Sequence, residues 1–156
     1  VHPEWLERQK LPEPLVSEGI WQERFEDIRS FERYLARNGV LIRKFFLHIS
    51  REEQKRRFLD RLEEPEKHWK FQAGDVTERQ RWDSYMAAYE DAIRRTSAPW
   101  APWVVVPADR KWFARVVVAA AIVEALESLN LTYPTLGPEA LSALHAAREQ
   151  LLAEED

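Results

Sequence analysis

Only two stretches of this chain read as β-strands, and 53 residues lie between them. Val40-Leu41-Ile42-Arg43-Lys44-Phe45-Phe46-Leu47-His48-Ile49 is apolar on nearly both faces; so is the shorter Trp103-Val104-Val105-Val106, which ends at Pro107. Near-continuous apolarity suits strands covered on both sides, as in a parallel sheet joined by helical crossovers. Two strands are too few for such a sheet, because both faces need covering and both edges stay unpaired. A complete open α/β domain has about five strands. The pattern therefore predicts the C-terminal half of a larger α/β unit, even though 156 residues with 45% apolar content allow a core.

The segments around the strands carry helical spacing. Three early prolines, Pro3, Pro12 and Pro14, predict an irregular lead-in with a short helix near Glu4 to Gln9. Between Ser17 and Arg37 the apolar residues Ile20, Trp21, Phe25, Ile28, Phe31, Tyr34 and Leu35 recur every three or four positions. They predict an amphipathic helix stopped by Asn38-Gly39. Ser50-Arg51-Glu52-Glu53 is a capping box for a helix ending near Pro65, with Glu53 expected to reach back to the serine. Asp75-Val76-Thr77-Glu78 repeats the capping pattern ahead of a helix carrying Trp82, Tyr85, Met86, Tyr89 and Ile93. Asp109 is expected to cap a long helix from about Arg110 to Ser128, and Gly137-Pro138 opens a last one that runs into the acidic tail Glu154-Glu155-Asp156.

Composition removes several classes of function. There is no cysteine, hence no disulfide scaffold, thiolate zinc site, iron–sulfur cluster or cysteine nucleophile, and this suits a reducing cytoplasm. No apolar run approaches the ~20 residues that span a bilayer, and no charged-then-apolar leader opens the chain. The formal charge of −4 gives no global field for nucleic acid. That charge is uneven: from Arg43 to Arg81 there are eleven Lys and Arg against eight Asp and Glu, a local +3 within an acidic chain. Such a segment is either a solvated helix face or a site for an anionic ligand. The four glycines, Gly19, Gly39, Gly74 and Gly137, stand alone, so neither GxxxxGK[ST] nor GxGxxG is present. The scattered histidines predict no metal site, and His48 reads as a packed histidine. The chain opens on Val1 and its only methionine is Met86, so either the start is written literally or it lies upstream.

The stretch Lys44-Phe45-Phe46-Leu47-His48-Ile49-Ser50-Arg51-Glu52-Glu53-Gln54 carries a family resemblance. It continues through Arg57, Arg61, Pro65, Lys67, Trp69, Lys70, Asp75, Arg81-Trp82-Asp83, Ala101-Pro102-Trp103 and Pro107-Ala108-Asp109-Arg110-Lys111-Trp112. In this combination, over roughly residues 1–134, the chain closely resembles the polyphosphate kinase 2 family, enzymes that move phosphoryl groups between inorganic polyphosphate and nucleotides. The resemblance implies an α/β fold: the C-terminal half of a P-loop kinase-like three-layer αβα fold, with a helical lid over 51–98 and a variable helix over 135–156. It places the Walker A loop and Walker B aspartate upstream of Val1, together with the ligands of the Mg2+ cofactor. Inorganic polyphosphate and ADP/ATP or AMP/ADP, with guanine nucleotides as further candidates, are the implied partners. A homo-oligomer in the cytoplasm is the implied setting.

Phosphoryl transfer needs positive charge over the phosphates in flight and exclusion of water. Arg61 and Lys70 are the expected catalytic cations; Arg57, Lys67, Lys111, Arg115 and Lys44 are the expected phosphate-binding ones. Arg57 and Arg61, four apart, share a helix face. Their alternative is pairing with Glu53, Asp60 or Glu64 on a solvated surface. Lys111 and Arg115 follow the last strand at its carboxyl end, where ligands of open α/β sheets gather. Lys44, inside an apolar strand, needs a partner or an anionic ligand. Trp69 and Trp82 read first as packing residues and second as platforms for a nucleobase. Two other classes remain open: a non-catalytic module that binds polyphosphate or a partner subunit, and a helical interaction module with no phosphate role.

Overall fold

In the computed structural model, which describes residues 1–154, Lys44–His48 (β1) and Trp103–Pro107 (β2) pair in parallel. Lys44 lies opposite Trp103 and His48 opposite Pro107, so both strands end at the same level. The element order is α1 (Glu4–Arg8), α2 (Ile20–Arg37), β1, α3 (Arg51–Glu63), α4 (Gly74–Arg79), α5 (Trp82–Thr96), β2, α6 (Lys111–Glu127) and α7 (Pro138–Leu152). Short 3-10 turns at Glu13–Leu15 and Pro65–Lys70 complete it. This is the helix-rich α/β order with a parallel pair that the sequence predicts. No helix among the described residues is long and apolar enough to cross a membrane.

Two compact units divide the chain. The first, Val1–Val123, holds both strands. Its core is Val106, Ala108 and Ala114, with Phe45, Ile49, Val104, Val117 and Val118 packed against them. Small residues at 108 and 114 let α6 close on the end of β2. On the other flank α2 packs on α5, and buried Thr96 ties the α5 terminus to the sheet: its hydroxyl donates to Ala92 O (2.6 Å) and accepts from Trp103 Nε1 (2.9 Å). The second unit, from Glu124 onward, contains the end of α6, which closes with Asn130 at φ 47°, and α7, which begins at Pro138 behind Gly137. Of the expected acidic tail, Glu155 and Asp156 lie outside the described residues.

Local signals set the helix ends. At the end of α2, Gly39 has φ +84°, Val40 N–H reaches Leu35 O (3.1 Å) and Gly39 N–H reaches Ala36 O (3.1 Å). This is the paired-bond C-terminal motif that a glycine in the left-handed region permits. Half of the capping box at Ser50 forms: Ser50 Oγ accepts Glu53 N–H at 3.1 Å. The other half does not, because Glu53 turns to two arginines and Ser50 N–H goes to Asp109 Oδ1 at 2.7 Å. Asp109 thus bridges the two strand ends, where the sequence predicts a cap on its own helix.

Three further expectations need correction. The single helix expected after Asp75 is broken at Gln80–Arg81 into α4 and α5, and Asp75 lies within the first turn of α4, accepting from Gln72 N–H at 3.4 Å. The first strand is shorter than the apolar run, starting only at Lys44. Nor are the strands covered on both faces: Leu47 is 55% exposed and Val105 53%, and His48 is exposed rather than packed. A sheet of two strands leaves outer edges and part of each face without a neighbour among the described residues.

Candidate functional site

The carboxyl ends of β1 and β2, side by side in the parallel register, bring Ile49-Ser50 next to Ala108-Asp109. Ala108 N–H donates to His48 O (2.8 Å), and Asp109 Oδ1 accepts Ser50 N–H. Helix α3 leaves from this point and α6 starts beside it. Arg57, two turns into α3, is drawn back across the gap. Its Nε donates to Glu53 Oε1 (2.7 Å), and its Nη2 donates to the backbone carbonyls of Ala108 (2.8 Å) and Asp109 (3.2 Å). Among the described residues, Nη1 is then the nitrogen left for a ligand.

A cavity of about 560 Å³ opens here. Its cations are Arg57 from α3 and Lys111 and Arg115 from the first turns of α6; Leu47, Ile49, Ala114 and Val118 form its apolar floor. Lys111 and Arg115 are four apart and share a helix face. Three cations beside the N-terminal end of a 17-residue helix make this corner electropositive. Glu53 lies behind it. The hydrogen bonds from Arg56 and then Arg57 hold its carboxyl down at about 2, so it is ionised at any ordinary pH and fixes both guanidiniums.

The seven cations singled out from sequence do not all meet. Arg57, Lys111 and Arg115 line this cavity; the other four do not. Arg61, near the end of α3, lies over the Phe58 ring at 5.5 Å, and Lys70 lies over Trp69 at 5.0 Å. Lys67 pairs with Glu64 at 2.5 Å. Lys44 sits at the opposite end of β1, roughly 13 Å away along a five-residue strand. Its Nζ donates to both carboxylate oxygens of Glu32 (2.8 and 2.7 Å) and to Thr96 O (2.8 Å). The partner that an ammonium in an apolar strand requires is therefore Glu32. Trp69, read first as a packing residue, is 79% exposed.

A second cavity, of about 500 Å³, lies between β1 and helices α3, α4 and α5. Phe46, Phe58, Trp82, Tyr85 and Tyr89 supply aromatic surface, and Asp75, Glu78 and Arg79 its charges. It meets the cationic cavity along Leu47 and Ile49. Glu78 belongs to a network that sequence reasoning did not find. Its Oε2 accepts from Tyr85 Oη (2.6 Å) and contacts His2 Nε2 (2.7 Å), while His2 Nδ1 meets Glu4 (2.9 Å) and the imidazole stacks on Trp5 at 4.5 Å. The bonds to Glu4 and then Glu78 raise the pKa of His2; those from Tyr85 and His2 lower that of Glu78; and Glu78 raises that of Tyr85. His2 and Glu78 are 76 positions apart. No local spacing signals such a contact.

A family model described as Polyphosphate kinase 2 matches residues 11–133. The ADP-polyphosphate phosphotransferase of Rhodopseudomonas palustris is 46% identical over 153 residues, which is 97% of this chain and 53% of that protein. The AMP/ADP-polyphosphate phosphotransferase of Meiothermus ruber is 51% identical over 120 residues, 77% of this chain and 45% of that one. An uncharacterised protein of Leptolyngbya boryana, 50% identical, is matched over its whole length and 87% of this chain. Among solved structures, a crystal structure of polyphosphate kinase 2 from Arthrobacter aurescens superposes with a TM-score of 0.73. It is 43% identical, and the match covers 81% of this chain and 46% of that one. The chain spans about half the length of the phosphotransferases it matches.

Proposed function

Because the chain belongs to the polyphosphate kinase 2 family, we propose that it supplies the cationic phosphate-holding part of a polyphosphate-dependent nucleotide phosphotransferase. The observation that carries this reading is the cavity at the carboxyl ends of β1 and β2, where Arg57, Lys111 and Arg115 converge. The reaction moves a phosphoryl group between inorganic polyphosphate and a nucleoside mono- or diphosphate. The leaving and attacking oxygens both belong to phosphates, so the protein's task is to hold polyanions close together, offset their mutual repulsion and keep water away. Arg57, fixed by Glu53 and two carbonyls, presents Nη1 in a set direction. Lys111 and Arg115, which make no side-chain hydrogen bond or ion pair among the described residues, meet the phosphate chain beside it.

Arg61, Lys67 and Lys70 lie on the outer end of α3 and the turn after it, within residues 51–98, which act as the lid in this reading. Arg61 and Lys70 rest on the aromatic faces of Phe58 and Trp69. Closure would carry them from those rings to the transferring group, their charges replacing water around it. The architecture to which this half belongs is then the three-layer P-loop kinase-like fold, with residues 135–156 a peripheral helix. Magnesium is the cofactor such chemistry calls for. Among the described residues no three His, Asp or Glu side chains gather into one cluster, and an ion of this kind takes most of its ligands from phosphate oxygens and water.

Two measurements test the reading. Inorganic polyphosphate should bind the chain, weaken as salt rises, and bind at least tenfold more weakly to the Lys111→Ala/Arg115→Ala double variant. Absent binding, or binding indifferent to that variant, overturns it. Incubation with polyphosphate, Mg2+ and ADP or AMP then separates an enzyme from a polyphosphate-binding module: nucleotide product marks the first, binding without product the second.

A further inference from the structure

We propose that His2 is a proton-operated selector: as an imidazolium it holds Glu4 of α1, and as a neutral ring it holds Arg81, the residue at the joint between α4 and α5. The inference does not depend on the phosphotransferase reading.

The geometry leaves the ring little choice. Its side chain is 8% exposed and lies flat on Trp5, so both nitrogens find their partners within the protein. Nε2 meets Glu78 Oε2 (2.7 Å) and Tyr85 Oη (3.0 Å). Tyr85 spends its single O–H on Glu78 (2.6 Å), so both neighbours of Nε2 accept, and Nε2 keeps its hydrogen whatever the charge on the ring. The hydrogen that comes and goes is therefore the one on Nδ1. There Glu4 Oε1 and Arg81 Nη1 both lie at 2.9 Å. A carboxylate only accepts and a guanidinium only donates, so one nitrogen cannot serve both. Protonated, Nδ1 donates to Glu4 and faces Arg81 with a second N–H. Deprotonated, its lone pair accepts from Arg81 and faces the Glu4 oxygen.

Each state fastens a different element. The Arg81 backbone closes one helix and opens the next: its N–H reaches Glu78 O (3.0 Å), and its carbonyl accepts the Tyr85 N–H (3.0 Å). At φ −92° and ψ 21° it departs from helical geometry. Among the described residues its guanidinium makes no other side-chain hydrogen bond or ion pair. A ring that Nε2 already anchors to Glu78 and Tyr85 therefore braces the joint when Nδ1 takes Arg81. When Nδ1 takes Glu4 instead, the same ring fastens α1. Glu4 from α1, Glu78 from α4, Tyr85 from α5 and Arg81 from the joint are the titratable and charged groups that face the imidazole. The bonds to Glu4 and then Glu78 keep its proton on above the ordinary imidazole range, and Arg81 opposes them. As pH rises through that raised value, α1 loosens and the joint stiffens; as pH falls, the reverse occurs.

Opposite signs distinguish this exchange from a general effect of pH on stability, which moves both elements together. The test follows amide exchange in the whole chain at pH 6 and pH 9, corrected for the intrinsic rate, with the ring nitrogens of His2 followed by NMR. Glu4–Arg8 should be several-fold better protected at pH 6, and the Tyr85 amide, which bonds to Arg81, several-fold better at pH 9. The neutral ring should carry its hydrogen on Nε2. Arg81→Gln should remove the gain at Tyr85 and keep the one in α1. Glu4→Gln, a conservative change that serves if the arginine variant unfolds, should do the opposite. A neutral ring with its hydrogen on Nδ1 overturns the inference. So does protection that changes in the same direction in both elements, or a gain at Tyr85 that survives Arg81→Gln.

Discussion

Glu53 holds two guanidiniums at once, and its carboxyl is depressed to about 2 as a result. A carboxyl whose folded pKa lies below its unfolded value stabilises the fold above the ordinary carboxylate range. That contribution disappears as pH falls through about 4.5 toward about 2. Glu53→Gln removes this part of the acid response: the fall in unfolding midpoint between pH 7 and pH 3 should be smaller in the variant, measured by denaturant titration at both pH values. An equal fall in both proteins would refute the linkage. Lys44 teaches the complementary lesson. With side chains only 13% and 12% exposed, Lys44 and Glu32 satisfy each other, and Thr96 O accepts a further hydrogen bond from the ammonium. A lysine in an apolar strand was legible as needing an anion, but the choice between a protein carboxylate and a ligand was not. Glu32 lies on another element, twelve positions earlier.

At the scale of elements, ends set by neighbouring residues were legible and contacts between elements were not. Asn38-Gly39 and Ser50 act within a turn of chain, so α2 stops and α3 starts where the sequence predicts. The break between α4 and α5 carries no glycine or proline, and periodicity alone read through it. The short helix α1 is tied to α4 and α5 through His2, the residue two positions before it, which reaches Glu78 and Tyr85. Glu4 and Glu78 raise its pKa, against the opposing charge of Arg81. A histidine with a raised folded pKa stabilises the fold fully below its unfolded value, and that contribution fades as pH rises through the folded one. Amide exchange of Glu4–Arg8, corrected for the intrinsic rate, should therefore be better protected at pH 6 than at pH 9. His2→Gln should abolish the difference. Equal protection at both pH values would show that α1 is held by other contacts.

For the molecule as a whole, the core lies beneath one strand. Val106 is fully buried, whereas its neighbour Val105 is half in solvent. Val106→Ala should cost about 2 kcal/mol of unfolding free energy and Val105→Ala much less, a contrast that thermal or denaturant unfolding reads directly. Comparable losses at both positions would mean that β2 is covered on its second face as well. The class of fold and the parallel pairing were legible, because apolar runs of strand length separated by helical spacing allow little else. Of the candidate site, the place of Lys111 and Arg115 was legible from their position after β2, whereas Arg57 was read as part of a track with Arg61, Lys67 and Lys70 and lies instead beside Lys111 and Arg115. Which cations converge was not, since it depends on how α3 leans back over the end of β2.

That lean has a consequence for how the site tolerates change. Arg57 is moored to the carbonyl oxygens of residues 108 and 109 rather than to their side chains. Any amino acid supplies those oxygens, so drift at either position leaves the mooring intact provided the chain still follows the same path. The orientation of the guanidinium is thereby inherited from the trace of the backbone, and the vulnerable partner is Glu53, the one anchor that a single codon can erase.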